Sequence, residues 1–307
     1  MTGIYDGSAG AVAITGASGM IGSALRRSLA ARGYRVVPIV RREPREGEIA
    51  WDPAGGRIDA ARLEGISAVV HLAGESIASG RWTRRRKHRI RESRTRGTGL
   101  IARAIAGLDR KPSVLVSVSA VGIYGDRGDE TLTDRASPGE GFLPDVAIAW
   151  ESAADPAREA GIRVAHPRLA AVLSASGGVL RRLLLPFRLG LGGPIGSGAQ
   201  WMPLVALDDV VGAMRHLIES PALSGPFNVS LPTPVTNRDF AKALGRALHR
   251  PAIVPVPPAA LRLVYGQLAD ELLVASAKAV PAALAASGFR FRHPTIDAAL
   301  KAALEPA

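Results

Sequence analysis

Residues 12–22 read Val-Ala-Ile-Thr-Gly-Ala-Ser-Gly-Met-Ile-Gly, and this stretch decides the fold. A short apolar run enters a glycine turn, and a helix is predicted from Met20 to Arg32. A strand, a glycine loop and a helix N-terminus in this order are typical of a dinucleotide-binding unit, although an ordinary βα turn has a similar pattern. The unpaired N–H groups of the helix terminus attract a pyrophosphate, and the glycines permit close approach. We therefore expect cofactor contacts from Gly16, Ser18, Gly19, Met20, Ile21 and Gly22.

The second predicted strand, Tyr34 to Val40, is followed directly by two arginines, Arg41 and Arg42. In NAD-selective proteins a carboxylate near this point accepts a hydrogen bond from the ribose 2′-hydroxyl. A guanidinium here instead suits a 2′-phosphate, through its charge and its forked hydrogen bonds. The sequence thus favours NADP(H), whereas Glu43, two residues on, keeps NAD as an alternative.

Composition limits the class of protein. The chain has 307 residues, 47% of them apolar, and no cysteine. This indicates a folded α/β unit, or two joined lobes, without disulfides, thiolate catalysis or zinc–thiolate sites. The segment Met1 to Gly10 lacks the hydrophobic region of a signal peptide, and no uncharged apolar run approaches the ~18 residues of a membrane span. We expect a cytoplasmic protein that does not bind a membrane, and we predict no metal site.

The positive charge is concentrated in one segment. Residues 81–96 hold nine Lys and Arg and one Glu, so they carry +8 of the formal net charge of +12. Three interpretations remain open: a solvated helix face, a positive rim that attracts an anionic cofactor or substrate, and a nucleic-acid surface. Nucleic acid is the least favoured because Trp82 is the only aromatic residue in the segment.

Strand-like and helix-like segments alternate along the chain. Strands are predicted at 68–72, 114–118, 162–165, 170–173 and 227–230, and helices at 98–106, 150–161 and 237–249. This alternation predicts an α/β fold of Rossmann type, a doubly wound parallel sheet, with a smaller C-terminal α/β lobe. We assign the dinucleotide-binding domain to 11–173, with the sheet completed by about 203–231, and the substrate lobe to 174–202 and 232–305. The glycine- and proline-rich stretch from Gly177 to Pro203 suits loops.

Several segments show a family resemblance. The chain resembles the extended short-chain dehydrogenase/reductases, and in particular the atypical epimerase/dehydratase-like proteins with a small C-terminal domain of unassigned function. The resemblance covers about residues 11–302. It is carried by Thr15-Gly16-Ala17-Ser18-Gly19-Met20-Ile21-Gly22, His71-Leu72-Ala73-Gly74-Glu75, Arg81-Trp82, Glu92-Ser93-Arg94, Ser119-Ala120-Val121-Gly122-Ile123-Tyr124-Gly125, Trp150-Glu151, the run from Leu185 to Gly198, and Pro234-Val235-Thr236-Asn237.

The resemblance implies further cofactor contacts. Leu72, Ala73 and Gly74 are expected to pass under the dinucleotide, with Arg41 at the 2′-phosphate. Arg94 and Val172 are expected to border the cofactor, and Ser117 ends the strand beneath it. Arg94 would then be functional, while most of Arg84 to Arg91 would form a solvated face. Both a monomer and a homodimer remain open.

The catalytic pattern departs from the family. Related reductases and epimerases use a serine and a Tyr-x-x-x-Lys pair, in which the ammonium group lowers the tyrosine pKa. By the family spacing the tyrosine should lie near Asp145 or Val146 and the lysine near Trp150, but neither is present. The candidates for acid–base chemistry are therefore Ser119, Tyr124 and Glu75, the last expected to be buried near the nicotinamide.

These observations leave three functional hypotheses. The first is an NADP(H)-dependent oxidoreductase or epimerase-like enzyme that acts on a small carbonyl or hydroxyl substrate. The second is a non-catalytic NADPH-binding redox sensor or partner-binding module, and the third is a nucleic-acid-binding protein. Function depends on the site and not on the fold, so the sequence leaves open whether the protein is an enzyme.

Overall fold

The structure, a computed structural model, describes residues 10–305. Residues 1–9, part of the segment without signal-peptide character, lie outside the described residues. The strands are β1 (Ala11–Thr15), β2 (Arg35–Val40), β3 (Ile49–Asp52), β4 (Arg57–Ile58), β5 (Ala68–His71), β6 (Val114–Ser117), β7 (Ser119–Ala120), β8 (Thr131–Leu132), β9 (Arg163–Leu169), β10 (Ala171–Leu173), β11 (Leu204–Ala206), β12 (Gly225–Val229) and β13 (Lys278–Ala279).

The α-helices connect these strands and build the C-terminal part. They are α1 (Met20–Ala30), α2 (Arg84–Ala106), α3 (Phe142–Ser152), α4 (Asp155–Glu159), α5 (Gly178–Arg188), α6 (Leu207–Glu219), α7 (Asn237–Ala247), α8 (Pro258–Tyr265), α9 (Ala282–Ala286) and α10 (Ile296–Leu304). Short 3-10 turns cover Ala60–Leu63 and Val121–Tyr124, and a π-helical turn covers Ala269–Val274.

The main sheet has nine strands in the order β12-β9-β6-β5-β1-β2-β3-β4, with β7 also paired to β9. All of its pairs are parallel except β3 with β4. The chain leaves β1 toward β2 on one side and later returns to β5 on the other. This reversal places a crevice above the carboxyl ends of β1 and β5, where open α/β sheets bind their ligands. The predicted fold class is confirmed.

The sheet is buried on both faces, as βαβ crossovers require. Val12 and Ile14 of β1 point into one apolar core with residues of α1 and α6, whereas Ala13 points into a second core with residues of α2 and α4. Every residue of β1, β5 and β6 is buried. Because these strands are packed on both faces, the residues at their carboxyl ends are held in fixed positions. The candidate site is formed by the segments that follow those ends.

A smaller core lies beside the sheet. Residues of β10, β11, α5, α7 and α10 pack together in this core. β10 and β11 form their own two-stranded parallel sheet, so β11 does not extend the main sheet, whereas β12 does. Helix α10 contributes to this core, whereas α8 has no buried residue and lies at the surface.

Three helices differ from the predicted boundaries. The expectation of loops from Gly177 to Pro203 is wrong for α5, whose buried residues Leu180, Leu184 and Phe187 recur at helical spacing. Helix α2 begins 14 residues before the predicted start, because only Ile90 is buried in its charged first half and the apolar periodicity is weak there. Helix α3 likewise begins at Phe142, eight residues before the predicted start.

Between residues 10 and 305, none of the helices combines the length and the apolar character that crossing a membrane requires.

Candidate dinucleotide-binding site

The glycine loop after β1 is shaped for close backbone contact. Gly16 has a positive φ of 67°, and a Cβ atom there would lie 3.1 Å from the backbone nitrogen of Ala73. A Cβ atom at Gly22 would overlap the Gly16 carbonyl oxygen and lie 2.8 Å from the Ala17 Cα. The glycines therefore allow the loop, the first turn of α1 and the end of β5 to pack at distances that a side chain would prevent.

The N-terminus of α1 offers its amide groups to this crevice. Gly19 is the N-cap, no side chain caps the helix, and its first turn contains no acidic residue. Ser18 and Gly19 are exposed, whereas Met20 and Ile21 are half-buried. Uncapped N–H groups and the positive end of a helix dipole suit an anionic group such as a pyrophosphate.

A second helix begins close to the first. Gly177, the N-cap of α5, lies near Met20, because a Cβ atom on it would be 3.0 Å from the Met20 sulfur. Helix α5 also has neither a side-chain cap nor an acid in its first turn. Val172 is half-buried in β10, and its carbonyl oxygen would lie 3.1 Å from a Cβ atom at Gly178. Two amide-rich helix ends thus flank the crevice, and Val172 lies beside the second of them; its contact with the cofactor stays a prediction.

A buried hydrogen-bond cluster ties the end of β1 to the segment after β5. The Thr15 Oγ1 accepts hydrogen bonds from the backbone N–H groups of Leu72 at 3.0 Å and Ala73 at 3.2 Å. Its own proton is then directed to the His71 Nδ1, which lies 2.7 Å away. His71 is completely buried, and burial lowers its pKa to about 4, so the imidazole is neutral at pH 7. This arrangement fixes the backbone of Leu72 and Ala73 under the crevice.

The two arginines at the end of β2 have different environments. Arg42 forms a forked ion pair with Glu48, with nitrogen–oxygen distances of 2.8 and 2.6 Å, and also donates to the Glu43 carbonyl. Arg41 is exposed and makes no hydrogen bond or ion pair with any residue in the described range. Arg41 is therefore the guanidinium that can reach a 2′-phosphate without breaking a protein contact, whereas Arg42 holds Glu48. The exposed Glu43 lies beyond them.

Arg94 extends from α2 to the other end of the crevice. Its Nη1 donates to the carbonyl oxygens of Glu75 at 3.0 Å and Ile90 at 3.1 Å. A Cβ atom at the exposed Gly74 would lie 3.7 Å from the Arg94 Cζ. The structure thus brings together the glycine loop, residues 72–74 and Arg94, which the sequence had connected only through the family resemblance.

Tyr124 does not face the crevice, although the sequence-based hypothesis of a catalytic role requires it to do so. It is fully buried, and its hydroxyl donates to Asn228 Oδ1 at 2.7 Å while it accepts from Arg168 Nη1 at 3.0 Å. Burial raises the pKa of this phenol. With no exposed surface, the hydroxyl cannot contact a substrate, and the side chain instead joins the turn after β7 to β12.

The two candidate serines are also enclosed. Ser117 is completely buried and Ser119 is 2% exposed, and neither hydroxyl has a hydrogen-bond partner of ordinary length in residues 10–305. Neither hydroxyl is therefore open to the crevice, and the expected cofactor contact of Ser117 and catalytic role of Ser119 stay predictions. Ser119 faces the Glu151 carboxylate. Burial alone would raise the pKa of Glu151, but the hydrogen bonds and the charge of Arg168 outweigh burial and lower this pKa.

Glu75 is at the crevice but not in an apolar pocket. Its side chain is 40% exposed, and one carboxylate oxygen lies 3.8 Å from Arg86 Nη2. The expectation of a buried carboxylic acid beside the nicotinamide is wrong, because arginine side chains rather than apolar groups surround this residue.

Sequence reasoning missed a buried ion pair at the base of the site. Arg168 of β9 forms a forked contact with Glu151 of α3, with distances of 2.8 and 2.9 Å, and its Nη1 donates to the Asp134 carbonyl at 3.1 Å. The signal was available: an arginine inside an otherwise apolar strand requires a buried partner. The pair stabilises the position of α3 against β9.

The comparisons with known proteins agree with this geometry. A family model described as the NAD dependent epimerase/dehydratase family matches residues 12–230. The chain belongs to this family. A second model, of a domain of unknown function named DUF1731, matches residues 256–303. The predicted resemblance, including the small C-terminal domain of unassigned function, is confirmed.

The chain is similar over nearly its whole length to other epimerase family proteins and to solved structures of such proteins. It is 43% identical over 290 residues to "Epimerase family protein MT2273" of Mycobacterium tuberculosis, covering 94% of this chain and 96% of that protein. The crystal structure of human epimerase family protein SDR39U1 (isoform2) with NADPH has a TM-score of 0.86 and 34% identity, covering 95% of this chain and 98% of that chain. A nucleoside-diphosphate sugar epimerase from Corynebacterium glutamicum has a TM-score of 0.81 and 36% identity, covering 97% of this chain and 59% of that chain.

Proposed function

We propose that this member of the epimerase/dehydratase family binds NADP(H) and exchanges a hydride with a small carbonyl or hydroxyl substrate. The observation that carries the proposal is the glycine loop: a Cβ atom at Gly16 or Gly22 would press against neighbouring backbone atoms, so only glycine lets the loop pack this closely, and the N-terminus of α1 beside it has no side-chain cap. A nicotinamide dinucleotide, when bound, supplies or accepts the hydride.

The residues of the crevice fit such a dinucleotide in one orientation, with its adenosine 2′-phosphate at the end of β2 and its pyrophosphate at the start of α1. The free amide groups of Met20 and Ile21 would hold the pyrophosphate, while the Gly19 N–H donates to the Gly16 carbonyl, and Arg41 would hold the 2′-phosphate. Residues 72–74 would support the rest of the dinucleotide from below, because Thr15 fixes their backbone. The human structure with NADPH supports this choice of cofactor.

One observation favours a second candidate, a non-catalytic NADPH-binding sensor or partner-binding module. The chain contains no Tyr-x-x-x-Lys pair: by the family spacing the tyrosine would fall near Asp145 or Val146 and the lysine near Trp150, which is buried. The Tyr124 and Ser119 hydroxyls are closed off from the crevice. A protein that reports the redox state of its cofactor needs no acid–base group.

A single set of assays separates the two candidates. We expect the purified protein to enhance NADPH fluorescence in a saturable manner. With a library of small aldehydes, ketones and oxo acids, an enzyme will oxidise NADPH, which is followed at 340 nm. Saturable binding without oxidation across the library would favour the sensor, and the absence of NADPH binding would contradict both.

A further inference from the structure

Four successive backbone carbonyl groups after Gly74 accept hydrogen bonds from side chains of α2, of α5 and of Trp82, which precedes α2. The carbonyl oxygens of residues 75–78 accept from Arg94 Nη1 at 3.0 Å, Arg86 Nη2 at 2.6 Å, Trp82 Nε1 at 2.8 Å and Arg182 Nη1 at 2.6 Å, respectively. Arg94 and Arg86 belong to α2, and Arg182 reaches across from α5. Three guanidinium groups therefore surround a segment that contains one carboxylate, Glu75. The electrostatic potential at this end of the crevice favours an anion.

The guanidinium of Arg94 has one edge, formed by Nε and Nη2, that makes no hydrogen bond within residues 10–305. Its Nη1 makes both of its hydrogen bonds, to Glu75 O and Ile90 O. Its Nε and Nη2 have no acceptor in residues 10–305, and neither atom is closed off from solvent. No carboxylate lies within ion-pair distance of this guanidinium in the described structure. The Nε–Nη2 edge is the one that binds a carboxylate with two parallel hydrogen bonds.

The same edge is occupied in two other arginines of this chain. Arg168 presents Nε and Nη2 to Glu151, and Arg127 presents them to Glu130, with distances of 2.8–2.9 Å in both pairs. Arg94 thus has the geometry of a carboxylate-binding arginine, and within residues 10–305 the Glu75 carboxylate acts on it through its charge without contacting this edge.

The Arg94 guanidinium is also held in place before any ligand arrives. It lies over the Trp150 ring, 4.8 Å from the ring centroid, and beside Gly74. Burial lowers its pKa to about 10, so the group stays cationic at neutral pH. A largely buried cation is costly to desolvate, and a bound anion would offset that cost.

We propose that the Nε–Nη2 edge of Arg94 binds a carboxylate of the substrate beside Gly74, so that the substrate class is a small oxo acid or hydroxy acid. This inference rests on the proposed function for the reacting carbonyl or hydroxyl group, but the anion subsite itself does not depend on turnover. The phosphates of the dinucleotide are the other source of negative charge that could reach Arg94, and the test distinguishes the two.

The test measures acid binding with and without cofactor. Acetate, pyruvate and 2-oxoglutarate are titrated against the full chain, and methyl pyruvate serves as a neutral probe with the same carbonyl. Tryptophan emission reports the subsite because Trp150 is stacked on Arg94, and NADPH fluorescence reports the loaded protein. The variants are Arg94→Gln, Arg94→Lys and the matched control Arg91→Gln, which removes an exposed charge from the same helix.

We expect at least one acid to bind the wild-type protein and the Arg91→Gln control equally. Arg94→Gln should weaken this binding at least tenfold, and Arg94→Lys should restore part of it, because lysine keeps the charge but not the fork. The affinity for NADPH should fall much less than the affinity for the acid in Arg94→Gln, and any effect of methyl pyruvate should not depend on residue 94.

Three results would overturn the proposal. Acid binding that is equal in wild type and Arg94→Gln would remove Arg94 from the subsite. Failure of all three acids to bind the wild-type protein in either form would remove the subsite. A parallel loss of NADPH and acid affinity in a folded Arg94→Gln protein would assign Arg94 to the cofactor phosphates. If the proposed NADP(H)-dependent function were wrong but the anion subsite were real, the wild-type protein would bind the acid but not NADPH.

Discussion

At the scale of single residues, the site depends on which polar groups are buried and which remain available. Arg41 and Arg42 are adjacent in sequence, yet one is free and the other is held by Glu48. Tyr124 and Ser119 have suitable functional groups for catalysis, yet both are enclosed. The sequence could not show the partners of these side chains, which lie up to 104 positions away.

His71 predicts a pH dependence of stability. Because its folded-state pKa is about 4 and the ordinary value is 6.5, the unfolded state binds the proton more readily. Its contribution is therefore present above pH 6.5 and is lost as the pH falls toward 4. Between pH 7 and pH 5 the free energy of unfolding should fall by about 2 kcal/mol because of this group alone.

The variant His71→Asn isolates that contribution, because an amide can still accept from Thr15 but does not titrate. Urea unfolding at pH 7 and pH 5 should show a smaller loss of stability in this variant than in the wild-type protein. His88 is exposed on α2, so His88→Asn should behave as wild type. An unchanged pH dependence in His71→Asn would show that His71 does not have the lowered pKa.

At the scale of elements, strands were easier to predict than helix starts. β1, β5 and β6 are continuous apolar runs, which the sequence displays directly. The start of α2 was missed because its first half is a charged surface, although Thr83 accepts a hydrogen bond from the Arg86 N–H as an ordinary N-cap. The start of α5 was missed because glycine and proline suggested loops, while the buried positions were at helical spacing.

The contact between the glycine loop and α1 gives a prediction at this scale. Gly22→Ala would place a Cβ atom against the Gly16 carbonyl, and overpacking of this kind typically costs about 1–3 kcal/mol. We expect a melting temperature several degrees lower and a loss of NADPH binding. Gly19→Ala is the control for stability. A Cβ atom at residue 19 would lie 3.3 Å from the Gly16 oxygen, farther than a Cβ atom at residue 22, and the φ of −72° at residue 19 suits alanine. Equal melting temperatures for the two variants would contradict the tight packing at Gly22.

At the scale of the whole molecule, one sheet edge and one small lobe define the crevice. The sequence predicted the Rossmann-type sheet, the glycine loop and the position of Arg41, because each depends on local pattern. It did not predict that α5 and α2 would both contact residues 75–78, since that contact requires the lobe to fold against the sheet. The sequence also could not show that the basic residues of 81–96 belong to two groups. In the structure Arg86 and Arg94 face the crevice, and most of the remaining basic residues are exposed to solvent.

The most direct test of the central claim is the affinity of the wild-type protein and of Arg41→Ala for NADPH and for NADH. A hydrogen bond to a charged group contributes about 1.5–3 kcal/mol, so Arg41→Ala should weaken NADPH binding about ten- to hundredfold and leave NADH binding nearly unchanged. Arg42→Ala should have a smaller effect on NADPH, because Glu48 already holds that guanidinium. Equal losses for both dinucleotides in Arg41→Ala, or no measurable binding of either one to the wild-type protein, would contradict the assignment of this crevice to NADP(H).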